Sequence, residues 1–308
     1  MSYLEQMAKF DEENLPTLDE VVMGALELFI ANPPSKLDIS EFKKPLIAGS
    51  GNAIVTARNI FSKTDAIFCD ETQIDEYLDK DIDGLIICSS SGDKHAIVFA
   101  QKAKNKGIKT KLLTCNPKAG TIDIIGLENT VITLKNREPY TYNTSTYMGW
   151  MFAVTGEKPQ EIKDFIEKEI DSKLKTIDFS KYKAYLMVTP DKLGGINEMF
   201  VRKFFELFGR HLARDVFTFE QVKHSITVHP CDGELAFSFG EGDFYFVGDR
   251  INFPLPVKSD LATMMTIGYY VIGKIQKSIP PYYKNNIKTY LENTGKSEFG
   301  KGLKVIVD

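Results

Sequence analysis

A short apolar run that stops at three serines and a glycine is the feature that most limits the possible fold. Leu85–Cys88 has the length and apolar character of a buried strand, and Ser89-Ser90-Ser91-Gly92 follows it directly. From Lys94 onward the pattern is that of an amphipathic, lysine-rich helix. A buried strand that passes through a polar turn into a helix is typical of a parallel sheet covered by helices.

The same order of strand, turn and helix recurs along the chain. Predicted strands lie at 45–48, 66–69, 85–88, 109–114, 131–134, 184–188, 235–239, 244–247 and 251–255. Predicted helices lie at 14–30, 94–106, 159–173, 197–208, 262–274 and 282–293. Both halves of the chain open with a strand, a glycine-containing turn and a helix, which suggests an internal duplication. The predicted fold class is therefore α/β, with mainly parallel sheets flanked by helices.

Composition narrows the class of protein further. A chain of 308 residues favours two domains of ordinary size. The net charge of −4 argues against a nucleic-acid partner, which normally selects a basic surface. No apolar stretch reaches the length of a membrane span, and residues 1–14 are polar and acidic, unlike a signal peptide. The four cysteines show no paired spacing, so we expect reduced thiols and a cytoplasmic protein.

The serine turn has the chemistry of an anion site. Hydroxyl groups and backbone N–H groups converge where a helix begins, and the helix dipole also favours negative charge there. Ser89, Ser90 and Ser91 supply more hydroxyls than helix capping needs, although capping alone is the competing interpretation. Thr114 ends the next predicted strand and is expected to open on the same edge of the sheet.

A second polar turn, Gly49-Ser50-Gly51-Asn52, follows the first predicted strand. Its first two glycines fit a dinucleotide-binding fingerprint, but Ile54 stands where the third glycine or alanine is required. We therefore predict no nucleotide cofactor. Two interpretations stay open, namely a turn that lets the backbone approach a small ligand and a purely structural turn.

Together these segments resemble the sugar isomerase (SIS) domain family over roughly residues 38–156. The resemblance is carried by the Gly49–Ala53 turn, the Cys88–Gly92 turn, the strand at 109–114 and the segment Tyr142–Tyr147. It implies a flavodoxin-like parallel sheet and a phosphorylated sugar as ligand. The family has a hydroxyl residue two positions after the glycine, where this chain has Lys94, whose ammonium group is also able to meet a phosphate. The implied ligand contacts are Gly49, Ser50, Gly51, Asn52, Ser89, Ser90, Ser91, Lys94, Thr114, Thr144 and Ser145.

The second half is similar to the second domain of double-SIS aldose–ketose isomerases, in which a helix carries a Lys-x-x-Glu pair and a histidine follows. On that resemblance Glu206 is the base that moves a proton through an enediolate, Lys203 orients or neutralises it, and His224 assists ring opening. A solvent-exposed ion pair is the competing interpretation of Lys203 and Glu206. Glu198, on the same predicted helix, is an alternative base.

The resemblance implies an N-terminal helical segment (1–37) wrapping the first domain, and two SIS domains (38–174 and 175–308). The predicted function is a phosphosugar aldose–ketose isomerase of the phosphoglucose/phosphomannose isomerase kind, with a sugar-amine deglycase as a near relative. A non-catalytic phosphosugar sensor is the alternative. We expect a homodimer or higher homo-oligomer with no cofactor. No metal is predicted, because His224, His229 and Cys231 have no fourth ligand of matching type nearby.

Overall fold

The computed structural model describes residues 1–225, 231–297 and 300–308. Contacts between residues divide the chain into two units. The five-strand unit comprises Asn32–Lys135 and Thr146–Gly156. The four-strand unit comprises Met1–Ala31, Asn136–Ser145 and Glu157–Asp308. Within the described ranges, no helix combines the length and the apolar character needed to cross a lipid bilayer.

The five-strand unit contains one fully parallel sheet in the order β2-β1-β3-β4-β5, which is the flavodoxin-like order. The two central strands, β1 and β3, are buried along their whole length, as their unbroken apolar runs predict. The strands are β1 (Pro45–Gly49), β2 (Ile67–Cys69), β3 (Gly84–Cys88), β4 (Thr110–Thr114) and β5 (Thr130–Ile132). The helices are Asn52–Ile60, Ile74–Tyr77, His95–Asn105 and Ile122–Ile125, with a 3-10 turn at Leu127–Asn129.

Helix His95–Asn105 packs one face onto this sheet. Phe99, Ala100 and Ala103 are buried in a cluster with Leu85 and Leu112 of the strands. These three helix positions recur at the spacing of one helical face, whereas Gln101 and Lys104 are exposed. The packing sets the direction in which the serine turn leaves β3 and enters the helix.

The four-strand unit contains a second parallel sheet, in the order β10-β9-β7-β8. Counted within this unit the order is second-first-third-fourth, which repeats the first four strands of the other sheet and agrees with the suggested duplication. Its strands are β7 (Ala184–Thr189), β8 (Ala213–Thr218), β9 (Glu234–Phe239) and β10 (Asp249–Phe253), and a separate antiparallel pair joins β6 (Glu138–Pro139) to β11 (Ile306–Val307).

Most of the helices lie in or begin in the four-strand unit. Thr17 and Glu20 show half of the predicted capping box, because the Thr17 N–H donates to the Glu20 carboxylate at 3.0 Å. Helix Leu18–Ala31 packs against helix Leu261–Ser278 within this unit. The helices are Tyr3–Lys9, Leu18–Ala31, Thr144–Thr155, Pro159–Phe165, Asp171–Leu174, Asn197–Phe208, Phe219–Ser225, Leu261–Ser278 and Tyr282–Thr294, with a π turn at Ile166–Ile170 and 3-10 turns at Phe179–Lys181 and Asp191–Ile196.

Four strand assignments differ from the prediction, which does not include β6 or β11, strands of only two residues each. Edge strand β8 was missed because Ala213–Thr218 alternates polar and apolar residues too weakly to stand out. The strand expected at 244–247 is absent, and these residues form a loop. The Arg250 guanidinium donates to the Phe244 carbonyl at 3.3 Å, while the Phe244 ring packs on Phe219. The loop thus buries its aromatic residue without a ladder of strand hydrogen bonds.

The N-terminal residues Met1–Ala31 belong to the four-strand unit. Helix Leu18–Ala31 packs on helix Leu261–Ser278, where the Gln276 side chain also accepts from the Leu18 N–H at 2.8 Å. The wrapping of the first domain by residues 1–37 stays a prediction. The segment boundaries at 37/38 and 174/175 stay a prediction.

The four thiols divide by burial, which leads to a testable difference in reactivity. Cys69, Cys88 and Cys115 are buried, whereas Cys231 is exposed. Burial raises the pKa of the Cys88 thiol to about 12, so very little reactive thiolate forms there at neutral pH. We expect native protein to react with a thiol reagent rapidly at Cys231 and slowly at the other three. Mass spectrometry after a short alkylation tests this, with urea-unfolded protein as the control. Rapid native labelling of Cys88 would contradict the structure.

Candidate functional site

The two polar turns leave neighbouring strands at the same edge of the five-strand sheet. Gly49, the last residue of β1, is in register with Cys88, the last residue of β3. A Cβ atom on Gly49 would lie 2.8 Å from the Cys88 carbonyl oxygen, so the close approach of the two strands requires glycine. In a sheet of this order, the end of β1 beside β3 is the topological switch point, where doubly wound proteins bind their ligands.

Hydrogen bonds within the serine turn give it a defined shape. The Gly92 N–H donates to the Ser89 hydroxyl at 3.1 Å, and the Asp93 N–H donates to the Ser91 hydroxyl at 3.3 Å. Because both hydroxyls act as acceptors here, each keeps its own proton for donation to a ligand oxygen. The Ser90 hydroxyl lies 3.3 Å from the Thr146 hydroxyl. The N–H groups bound by Ser89 and Ser91 belong to the turn and precede helix His95–Asn105, whose N-cap is Lys94, so these bonds shape the turn and do not cap the helix. The donor capacity of the turn stays intact.

Gly92 is the point at which the turn packs into the unit. Its φ of +63° lies in the left-handed region, and a Cβ atom there would meet the Ala119 Cβ at 2.4 Å. The Gly92 carbonyl accepts from the Thr121 hydroxyl at 2.7 Å and from the Thr121 N–H at 3.2 Å. Both the backbone conformation and the lack of space exclude a side chain at this position.

Three side chains that hold the turn were not found from the sequence. Asp93 accepts from the Gly120 N–H at 2.9 Å, and Asn116 donates to the Ser91 carbonyl at 2.9 Å. The third, Thr121, holds Gly92. The available signals were the position of Asp93 directly after Gly92, and the position of Asn116 and Thr121 shortly after β4, on the same edge of the sheet as the serine turn.

Thr114 holds the serine turn through a hydrogen bond to its backbone. Its side chain is fully buried, and its hydroxyl donates to the Ser90 carbonyl at 2.9 Å and accepts from the Asn116 N–H at 3.2 Å. The structure places Thr114 at the predicted sheet edge with its hydroxyl engaged by the turn itself. Direct contact of Thr114 with a ligand stays a prediction.

Lys94 and Gly51 occupy equivalent places in the two turns. Each precedes the first residue of a helix, and their φ and ψ angles are similar, 50° and −114° for Lys94 and 56° and −130° for Gly51. This conformation suits glycine, whereas a residue with a Cβ atom is strained in it. The Lys94 side chain is exposed. The turn therefore presents its lysine from a backbone conformation that the surrounding structure must hold.

The N-terminus of helix Thr144–Thr155 already carries a carboxylate. The buried Glu138 accepts from the Thr144 N–H at 2.6 Å, the Ser145 N–H at 2.7 Å and the Ser145 hydroxyl at 2.5 Å. An acidic group at a helix N-terminus is stabilised by the helix dipole. The resemblance implies Thr144 and Ser145 as ligand contacts, but in the structure their N–H groups donate to Glu138. Contact of Thr144 and Ser145 with a phosphosugar stays a prediction.

Lys203 and Glu206 form a close pair in the four-strand unit. The Lys203 side chain is fully buried, and its amino group donates to Glu206 Oε2 at 2.5 Å. It also donates to the carbonyl oxygens of Thr141 at 2.8 Å and Tyr142 at 3.1 Å. The Glu206 side chain keeps 23% of its surface exposed. The pair is therefore not the solvated ion pair of the competing interpretation, because one partner is wholly removed from water.

The remaining candidates lie on the surface. Glu198 is 46% exposed and accepts from the guanidinium of Arg202 on its own helix. His224 is 76% exposed and lies 3.4 Å from the Glu220 carboxylate, also on its own helix. His229 lies outside the described residues. Among the two glutamates, only Glu206 pairs with a buried cation, although it also has neighbours besides Lys203.

The fold and the polar turns together define a doubly wound α/β protein with two polar turns at one edge of its five-strand sheet. No family model matches the sequence, and no curated protein matches it by sequence. Solved structures match it in fold. The C-terminal domain of glucosamine-fructose-6-phosphate aminotransferase from Francisella tularensis has a TM-score of 0.59 at 11% identity, and 86% of this chain and 97% of that chain are covered.

Two further structures have the same fold. Tagatose-6-phosphate ketose/aldose isomerase from Escherichia coli has a TM-score of 0.54 at 13% identity, with 92% of this chain and 95% of that chain covered. Glucosamine-6-phosphate deaminase from Thermotoga maritima has a TM-score of 0.55 at 11% identity, with 91% and 96% covered. Likeness at this level of identity establishes the fold, which is the mixed α/β fold predicted from the sequence.

Proposed function

We propose that this chain binds a phosphorylated sugar at the Ser89–Gly92 turn and converts it between its aldose and ketose forms. The observation that carries the proposal is the placement of two glycine- and serine-containing turns side by side at the switch point of the five-strand sheet. The three structures of like fold support it, because each of their names contains a sugar 6-phosphate.

Phosphate recognition follows from the donor groups of the turn. Ser89 and Ser91 have hydroxyl protons to donate, and helix His95–Asn105 begins three residues after Gly92. A phosphate oxygen accepts several short hydrogen bonds at once, and the dipole of an 11-residue helix adds to the attraction. Lys94 adds an ammonium charge in the same turn. We propose that these groups bind the phosphate and that Gly49, Ser50, Gly51 and Asn52 border the sugar.

Proton transfer is the chemistry that we propose for Glu206. The carboxylate removes the proton on C2 of an open-chain aldose. The electrons of that C–H bond form the C1=C2 double bond of an enediolate, while the π electrons of the C1=O bond move onto O1. The resulting carboxylic acid then returns its proton to C1, which takes up the C1=C2 electrons, while the O2–H proton moves to O1 and the electrons left on O2 form the C2=O2 bond of the ketose. Lys203 orients the carboxylate through its 2.5 Å hydrogen bond. We also propose, on the family resemblance, that His224 assists ring opening.

A phosphosugar sensor without catalysis is the second candidate. The observation in its favour is His224, which is exposed and lies beside Glu220 on its own helix. A sensor needs the phosphate site but not Glu206. The two candidates therefore differ in proton exchange and agree in ligand binding. The homo-oligomeric state and the cytoplasmic location stay predictions.

A ligand screen tests the binding proposal. We expect glucose 6-phosphate, mannose 6-phosphate or fructose 6-phosphate to raise the melting temperature by several degrees, because a ligand that binds only the folded state stabilises it. The unphosphorylated sugars should have little effect. In Ser89→Ala/Ser91→Ala the shift should be lost, since two donors to the phosphate are removed.

Ser62→Ala is the matched control, because Ser62 is an exposed serine of the same unit. It should keep the full shift. An equal shift in the double variant and the wild type would rule out the serine turn as the phosphate site. The absence of a shift with every sugar phosphate would contradict both candidate functions.

A further inference from the structure

The backbone of residues 140–142 determines where the Lys203 amino group lies. An ammonium group has three N–H donors. Two of them bond to the carbonyl oxygens of Thr141 and Tyr142, and the third bonds to Glu206. The position of the charge beside the carboxylate therefore depends on how this short segment is held.

The segment has a backbone conformation that needs external support. Thr141 has a φ of +71° and Asn143 a φ of +46°, both in the left-handed region although neither residue is glycine. Residues with a Cβ atom stay in such a conformation only where neighbouring groups hold them. The backbone therefore needs support both at Thr141, before the Tyr142 carbonyl, and at Asn143, after it.

Two contacts within the four-strand unit supply this support at Tyr140. Its N–H donates to the Val305 carbonyl at 2.8 Å, directly before the pairing of Ile306–Val307 with Glu138–Pro139. Its carbonyl accepts a hydrogen bond from the Tyr283 hydroxyl. The Tyr283 side chain is buried, and its ring lies 5.2 Å from the Tyr142 ring. Tyr283 therefore touches the segment at two places.

We propose that Tyr283 is a positioning residue that acts through the Tyr140–Tyr142 segment on Lys203 and Glu206. Its hydroxyl fixes the Tyr140 carbonyl, so that the next two carbonyls point at the Lys203 amino group. Without it, the segment relaxes from the left-handed conformation and the ammonium group shifts from its place beside the carboxylate. The catalytic part of this inference rests on the proposed isomerase function. The contact itself does not.

Tyr283→Phe tests the inference, because it removes only the hydroxyl. We expect kcat for the isomerisation to fall about tenfold while KM changes by less than about twofold, since the group acts on the proton-transfer step and not on phosphate binding. Tyr290→Phe is the matched control. Its ring also lies beside that of Tyr140, at 6.3 Å, but its side chain is 46% exposed. This control should keep wild-type kcat and KM.

A double-mutant cycle with Lys203→Gln separates positioning from general destabilisation. If Tyr283 acts through Lys203, the loss of urea stability caused by Tyr283→Phe should be clearly smaller in the Lys203→Gln background than in the wild type. Lys203→Met is the second background should the first fail to fold. Additive effects on stability, or an unchanged kcat in Tyr283→Phe, would overturn the inference. If the wild type shows no isomerisation at all, the proposed function fails, and the stability cycle still decides the positioning contact.

Discussion

Glu206→Gln is expected to abolish proton exchange and leave sugar-phosphate binding intact. The amide keeps the size and the hydrogen-bonding position of the carboxylate but cannot accept the C2 proton. General-base catalysis contributes factors of about 10² to 10⁴, so turnover should fall by about three orders of magnitude. The measurement is deuterium incorporation from D₂O at C2 of the aldose 6-phosphate, together with the ligand-induced shift in melting temperature.

Glu198→Gln is the matched control for this prediction. It makes the same chemical change on the same helix, but at a half-exposed carboxylate that pairs with Arg202. Exposed ion pairs of this kind contribute little to stability, so we expect exchange and binding close to wild type. If Glu198→Gln loses proton exchange and Glu206→Gln keeps it, the general base is Glu198 and not Glu206. Unchanged exchange in both variants would eliminate both glutamates as the base.

Gly92→Ala is expected to destabilise the protein and remove sugar-phosphate binding. The new Cβ atom would lie 2.4 Å from the Ala119 Cβ and 3.2 Å from the Thr114 hydroxyl, which itself holds the Ser90 carbonyl. Overpacking of this kind costs about 1–3 kcal/mol, and the left-handed φ adds about 1 kcal/mol. We therefore expect a loss of about 2–4 kcal/mol in the free energy of unfolding, measured by urea denaturation.

Gly107→Ala separates the two contributions to that loss. Gly107 has a similar φ of +68°, but nothing lies within 4 Å of a Cβ atom built there. It should lose only about 1 kcal/mol and keep the ligand-induced shift in melting temperature. Equal destabilisation in the two variants would show that crowding at Ala119 is relieved easily. Retained binding in Gly92→Ala would show that the phosphate does not depend on the shape of the serine turn.

Strands and helices with strong periodicity were predictable within a few residues. Leu85–Cys88 was expected as a strand and is found as Gly84–Cys88, and the helix predicted at 197–208 is found as Asn197–Phe208. In both segments the apolar residues follow the period of the element, so local sequence outweighs tertiary packing in deciding the secondary structure. Edge strand β8 was missed because only one face of an edge strand packs well, which leaves a weak apolar pattern.

The site residues divide in a similar way. Ser89, Ser90, Ser91 and Gly92 were found because strand, turn and helix are contiguous in the sequence. Asn116 and Thr121 were missed, since their hydrogen bonds to the turn join residues about 25 to 30 positions apart. Glu138 was missed as well, although its carboxylate accepts from the N–H groups of Thr144 and Ser145 at the helix N-terminus.

By itself the sequence determined the α/β class, the parallel direction of the strands, and the polar turn after β3. These follow from local apolar periodicity and from the short connections between elements. Only the tertiary structure decided that Gly92 is crowded, that Lys203 is fully buried against Glu206, and that Tyr283 reaches the Tyr140 carbonyl. Burial and hydrogen bonds between distant segments depend on packing in three dimensions, and residue spacing along the chain does not encode them.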